Sequence, residues 1–150
     1  MSVPAIGDSY RGVSGHTGYL LRQAWHSMRG ALDEALRPHG LTSPQYAVLS
    51  VLGRDEGASG ADLARACNTT PQAMNGVLAT LSRSGLIDRR PHPTHGRILQ
   101  VSLTAEGARR LESATPAVRS LEACIDEGFT AEEIATVKAW LVAAALRLGP

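Results

Sequence analysis

"GASGADLARACNTTPQAMNGVLATLSRSGLIDR", residues 57–89, changes its hydrophobic repeat near its end, and that change decides the fold. "GASG" at 57–60 reads as a loop and "ADLARAC" at 61–67 as a short helix. "NTT" then forms a turn ahead of Pro71, a residue whose fixed φ suits the first turn of a helix. From there Met74, Val77, Leu78 and Leu81 fall at i, i+3, i+4 and i+7, the pattern of a helix with one core-facing side. That helix is expected to run to about Ser84, with Gly85 suited to a left-handed C-terminal cap. Its other side carries Gln72, Asn75, Gly76, Ala79 and Ser82, polar but small enough for close approach to a second surface.

Beyond Gly85 the repeat becomes two. "LIDRR" at 86–90 is a strand candidate, and in "ILQVSLT" at 98–104 Leu99, Val101 and Leu103 alternate with Gln100, Ser102 and Thr104. Two strands around a Pro/Gly-rich link make a hairpin, so "RRPHPTHGR" at 89–97 is its tip. His92 and His95 lie three apart there, but two ligands on a loop fall short of the three or four that zinc takes from a fixed frame. No metal or other cofactor is expected.

The flanking segments read as helices. Leu21, Trp25, Met28, Leu32 and Ala35 step by four and three across 18–37, the spacing of helices that pack along a seam, and Pro38 with Gly40 ends the run. "LTSPQYAVLSVL" at 41–52 opens the next helix with Thr42 or Ser43 as N-cap and Pro44 in its first turn; Tyr46, Leu49 and Leu52 form its buried face. After Thr104, Leu111, Ala114, Val118, Leu121 and Ile125 form a second seam, interrupted by Pro116, where a kink or a break is expected. "TAEE" at 130–133 is a capping box leading a last helix lined by Ile134, Val137, Trp140, Leu141 and Ala144. Residues 1–17 show no pattern and read as a flexible N-terminal segment, followed by one domain over 18–150.

Composition narrows the function. At 150 residues and 43% hydrophobic the chain suits one globular domain, and its start lacks the basic and apolar run of a signal peptide. With no unbroken apolar stretch of membrane length and two distant cysteines, Cys67 and Cys124, a cytoplasmic protein is expected. The net charge is only +1, yet residues 83–97 carry four arginines against Asp88 alone, which leaves the rest of the chain at −2. Positive charge is thus concentrated around the hairpin. No nucleophile, base and orienting group stand in a plausible arrangement and no Gly-rich phosphate loop is present, so no enzyme is expected.

Short helix, turn, second helix and basic hairpin together describe a winged helix-turn-helix, in a mainly α fold with a small β-hairpin wing. Such a helix fits the DNA major groove while the wing reaches phosphates or the minor groove. Gln72 and Asn75 carry carboxamides able to pair with adenine N6 and N7, and Thr69 and Thr70 suit phosphate contacts at the helix start. Arg83, Arg89, Arg90, His95 and Arg97 complete the DNA-binding group, although alternation along the strand lets only one of Arg89 and Arg90 face DNA. The weaker alternatives are a redox sensor using Cys67 and a winged-helix module that binds protein; buried packing is the simpler role for both cysteines.

"SPQYAVLSVL" at 43–52, the segment 57–89 and "GRILQVSLTAEG" at 96–107 together resemble the multiple antibiotic resistance regulator (MarR) family of transcription factors. The resemblance runs from Gly18 onward. It implies a homodimer held by terminal helices (18–40 and 105–150) around a winged helix-turn-helix (43–104), a pseudo-palindromic double-stranded DNA operator, and repression relieved by a small aromatic or phenolic effector. It further implies that Thr70, Gln72 and Asn75 face the groove, that Arg97 occupies the wing tip, and that Arg22, Trp25 and Tyr46 bind the effector. This chain departs from the family's pattern in one place: His95 and His92 stand where aspartates are usual near that arginine. Protonating either histidine adds positive charge beside DNA, so operator affinity is expected to rise from about pH 8 to about pH 6. The variant with both His92→Gln and His95→Gln, compared with the parent in binding titrations, loses that rise; an identical pH dependence in the two proteins would show that other groups are responsible.

Overall fold

The computed structural model describes residues 2–91 and 98–149 of the chain. Its helices are α1 (Thr17–Leu36), α2 (Ser43–Leu52), α3 (Gly60–Ala66), α4 (Pro71–Arg83), α5 (Ala105–Asp126) and α6 (Ala131–Leu148), and its strands are β1 (Ala58–Ser59), β2 (Ile87–Pro91) and β3 (Leu99–Leu103). Two compact units form, Met1–Val118 and Arg119–Pro150.

Capping residues set most helix starts. The Thr42 amide donates to Gln45 Oε1 at 3.0 Å, which settles Thr42 as the cap of α2. Thr70 Oγ1 accepts from the Ala73 amide at 3.1 Å to open α4. The box at the head of α6 closes reciprocally, with the Glu133 amide donating to Thr130 Oγ1 at 3.2 Å and the Thr130 amide to Glu133 Oε2 at 2.8 Å. The Thr130 amide and hydroxyl, both donating to Glu133 Oε2, hold that carboxyl below its ordinary range.

In the first unit, the core joins Leu36, Leu41, Val48, Leu49, Leu52, Leu63, Met74, Leu78, Leu81, Leu86, Ile87, Val101 and Ala114, all buried. It therefore ties α1 and α2 to the helix pair α3–α4, the sheet and the first half of α5. The α1–α2 corner is also held by polar contacts: the Ser43 amide donates to Asp33 Oδ1 at 3.0 Å and its hydroxyl bonds the same oxygen, keeping the Asp33 carboxyl below the usual carboxylate range.

The sheet has three antiparallel strands in the order β1-β3-β2, one more than the hairpin read from the sequence. "GASG" is therefore not simply a loop. Ala58 pairs with Val101 and Ser59 with Gln100, and the Gly57 amide donates to the Val101 carbonyl at 3.1 Å. Across the hairpin Ile87 faces Leu103, Arg89 faces Val101 and Arg90 faces Gln100.

Pro116 lies inside α5, which runs on without the break allowed for, and the Thr115 hydroxyl donates to the Leu111 carbonyl at 2.8 Å just ahead of it. The N-terminal segment makes local contacts of its own. Ser9–Arg11 is a 3-10 turn, the Gly15 amide donates to the Gly12 carbonyl at 2.9 Å, and Arg11 Nε donates to Gln23 Oε1 of α1 at 2.9 Å.

The tightest junction lies where α4, β2 and α5 meet. Gly85 takes φ +68°, in the left-handed region, and the Leu86 amide returns to the Leu81 carbonyl at 3.0 Å. Thr104 Oγ1 donates to the Gly85 carbonyl at 2.7 Å and accepts from the Gly107 amide at 3.0 Å. A Cβ on Gly107 would stand 2.0 Å from the Leu86 carbonyl oxygen, whereas one on Gly76 meets nothing within 4 Å. In urea unfolding, Gly107→Ala is expected to destabilise by about 1–3 kcal/mol through overpacking. Gly76→Ala is expected to stabilise by about 0.5–1 kcal/mol through helix propensity alone. Equal effects at the two sites would remove the close approach as a constraint.

Candidate nucleic-acid interface

The pairing of α3 with α4 creates the surface read from the sequence. Leu63 and Ala64 of α3 and Met74, Leu78 and Leu81 of α4 are buried, and this rotates Gln72, Asn75, Gly76, Ala79 and Ser82 outward, all exposed on one side of α4. The turn between the helices depends on Asn68 at φ +50°, a conformation that asparagine tolerates better than most residues. Thr69 and Thr70 are exposed at the head of α4, but the Thr70 hydroxyl oxygen is already engaged as the N-cap. Arg83 is exposed at the far end of α4, with Nη2 3.4 Å from Thr80 Oγ1.

The strand register separates the two neighbouring arginines. Val101 is 1% exposed, and Arg89, directly opposite it, shares its inward face; Arg90, opposite Gln100, lies outward with a side chain 79% exposed. Arg89 Nε and Nη2 are buried and have no hydrogen-bond partner among the described residues. Arg89 lines a cavity of about 300 Å³ between the head of α3, the exposed side of α4 and β3, with Ser59, Asn75, Leu78 and Leu99. Arg90 is 3.7 Å from Asp88, an exposed pair of little energetic weight. His92, His95 and Arg97 lie outside the described residues.

Of the effector-binding group, Arg22 and Trp25 stand three positions apart on α1 and Tyr46 lies on α2. Tyr46 packs half-buried against the core, Trp25 is 61% exposed on α1, and Arg22 lines a cavity that neither of them lines. Cys67 is half-buried, and desolvation pushes its thiol up, away from the reactive thiolate that a redox sensor needs. Cys124 is exposed, so the packing role expected for it is not seen within one chain. Among the described residues no helix is long and apolar enough to cross a membrane.

The sequence reading did not anticipate β1 and left open which of Arg89 and Arg90 turns inward. The second was legible from alternation, since Ile87 and Arg89 are two apart on a strand whose first residue is apolar. The first had no signal beyond the loop composition of "GASG".

Comparison with known proteins agrees with this geometry. The MarR family model matches residues 39–98, the span from the end of the α1–α2 corner to the start of β3. The HTH-type transcriptional repressor Rv2887 of Mycobacterium tuberculosis is 38% identical over 116 residues, 77% of this chain and 84% of the relative. A structure of that protein with salicylic acid superposes with a TM-score of 0.68 at 35% identity, covering 87% of this chain and 97% of that one. A mutant MarR from Escherichia coli complexed with operator DNA gives a TM-score of 0.79 at 26% identity, covering 85% and 91%. With the helix pair, the exposed small-sided face of α4 and the adjoining hairpin in place, the chain belongs to the MarR family of winged helix-turn-helix transcriptional regulators.

Proposed function

We propose that this protein is a sequence-specific DNA-binding repressor that acts as a homodimer on a pseudo-palindromic operator and is released by a small aromatic or phenolic effector. The observation that carries the DNA-binding part is the outward side of α4: its apolar residues are consumed by the core, and its carboxamides stand free among Gly76, Ala79 and Ser82. A side built that way admits a nucleic-acid groove to within hydrogen-bonding distance of Gln72 and Asn75. Two copies are supported by what a single chain leaves uncovered, since Trp25 of α1 and Val137, Trp140 and Leu141 of α6 remain between 41% and 61% exposed. Release by an effector is supported by the relative Rv2887, which has been crystallised with salicylic acid. For such a ligand to act, it must bind the DNA-competent arrangement less well than another.

The two strand arginines take different parts in this reading. Arg90 is placed for a phosphate, whereas Arg89 braces the wing against α4 from inside. Gln72→Ala and Asn75→Ala are each expected to relax base preference at their own positions by about 1–3 kcal/mol, read by selection from random DNA. If both can become alanine with the selected sequence unchanged, α4 is not the reading surface. Arg90→Ala is expected to reduce the slope of log affinity against log salt by about one unit, and Arg89→Met to leave that slope unchanged. Arg89→Met should also keep folding stability or raise it by about 1–2 kcal/mol in urea unfolding, because it removes two buried donors that lack partners among the described residues. A loss of slope in the Arg89 variant matching that of the Arg90 variant would place both side chains on DNA.

A further inference from the structure

Helix α5 meets the apolar core of the first unit along one line. A Cβ on Gly107 would stand 2.0 Å from the Leu86 carbonyl oxygen, and one on Gly53 would stand 2.9 Å from Leu111 Cδ2. Ala114 is fully buried, and Leu111 and Val118 pack against the same core. Gly107, Leu111, Ala114 and Val118 fall at i, i+4, i+7 and i+11, a single stripe of a helix. Apolar contact is non-directional, so a stripe of it sets how closely α5 approaches but resists poorly a roll about that line.

A second set of contacts lies to one side of the stripe. Arg110 and Ser113 each precede a stripe residue by one position, which turns both about 100° to the same side. Arg110 Nη1 donates to the His39 carbonyl at 3.1 Å, and its Nη2 to Glu106 Oε1, one turn earlier on α5, also at 3.1 Å. His39 Nδ1 lies 2.9 Å from Ser113 Oγ. The corner they reach is the 3-10 turn Arg37–His39 between α1 and α2, ended by Gly40 at φ +65°. Gly40 also clears the approach, since a Cβ there would stand 2.9 Å from Arg110 Nη1. The Arg110 side chain is 34% exposed, against 73% for Arg109, which bonds Glu106 alone among the described residues. Directional bonds thus join α5 to a corner more than 70 positions away in sequence.

We propose that Arg110, His39 and Ser113 form a clasp that stops α5 from rolling and thereby sets which spacing of operator half-sites the protein accepts. The inference rests on the reading of this chain as a dimer with α4 in the groove. α5 starts beside the end of α4, and α1 carries Leu21 and Trp25, both exposed in a single chain and available to a second copy. Tying α5 to the end of α1 therefore ties the reading helix to the surface shared between copies. With the clasp closed, the two α4 helices of a dimer are held at one separation. One base pair moves a half-site by about 3.4 Å along the duplex and turns it by about 35°, so the stiffness of this joint decides whether a shifted half-site is tolerated. The three residues contact no base; they are positioning residues.

The test is selection from random DNA with the full-length protein, followed by titrations on the selected operator and on versions with one base pair inserted or removed between the half-sites. The parent is expected to bind the altered operators at least about tenfold more weakly. Arg110→Met keeps an unbranched chain over Gly40 and removes both donors; it is expected to narrow that penalty to within about threefold, with the bases selected inside each half-site unchanged. Arg110→Lys, which keeps a cationic donor for the His39 carbonyl, is expected to restore part of the discrimination. Ser113→Ala gives the same reading if Arg110→Met proves unstable by thermal melting, and Arg109→Met is expected to keep the parent's penalty. A parent indifferent to spacing, a full penalty in both Arg110→Met and Ser113→Ala, or an equal loss in Arg109→Met would each overturn the clasp and leave the reading of α4 standing. Failure of the parent to select paired half-sites would overturn the operator reading, and the clasp with it.

Discussion

The contact of Gly107 with the Leu86 carbonyl, sealed by the two hydrogen bonds of Thr104 Oγ1, governs where everything else in the first unit sits. It lies at the point where α4 has ended, β2 has begun and α5 starts. A single peptide carbonyl is there packed against a helix that carries no side chain at the contact. Because β2 leaves this point with Ile87 buried, the register of the whole hairpin follows, and with it the inward placement of Arg89 and the outward placement of Arg90. Because α5 also leaves from it, the first turns of that helix are fixed relative to α4. Any force on α5 is thereby transmitted to the helix proposed to read DNA through a joint with little compliance.

Much of this architecture was legible because local chemistry and global packing agree. Thr42 and Thr130 announce helix starts and in the structure cap them, and Met74, Leu78 and Leu81 announce a face and bury it; Thr70, read from the sequence only as a DNA contact, caps α4 as well. What was not legible depends on partners distant in sequence. β1 is two residues long, too short for any periodic signal, and exists because β3 offers an unpaired edge to Ala58 and Ser59. The N-terminal fold is likewise specified by absent side chains at Gly12 and Gly15, which a hydrophobicity pattern cannot register. The effector-binding trio was carried by resemblance alone; of its members Tyr46 packs against the core and Trp25 is exposed.

Arg89 illustrates how charge misleads. In a basic stretch beside a wing, its guanidinium invites assignment to DNA together with that of Arg90. Strand geometry allows only one of two successive side chains on a given face, and the buried Ile87 decides which. Leaving two guanidinium donors unpaired inside a protein costs free energy that apolar packing at the same place would not. Arg89 therefore lines the cavity it shares with Asn75 at a cost in stability.

The same reasoning separates the two ends of the first unit. Around α3, α4 and the sheet, helices and strands meet through side chains that fill space, and the outward residues of α4 are small. Ahead of α1, glycines let the backbone pack on itself, Gly12 against Gly7 and Gly15 against Tyr10. A wall of backbone holds its shape through its own hydrogen bonds, such as Gly12 to Ser9 at 3.0 Å and Gly15 to Gly12 at 2.9 Å, and needs no apolar filling to persist.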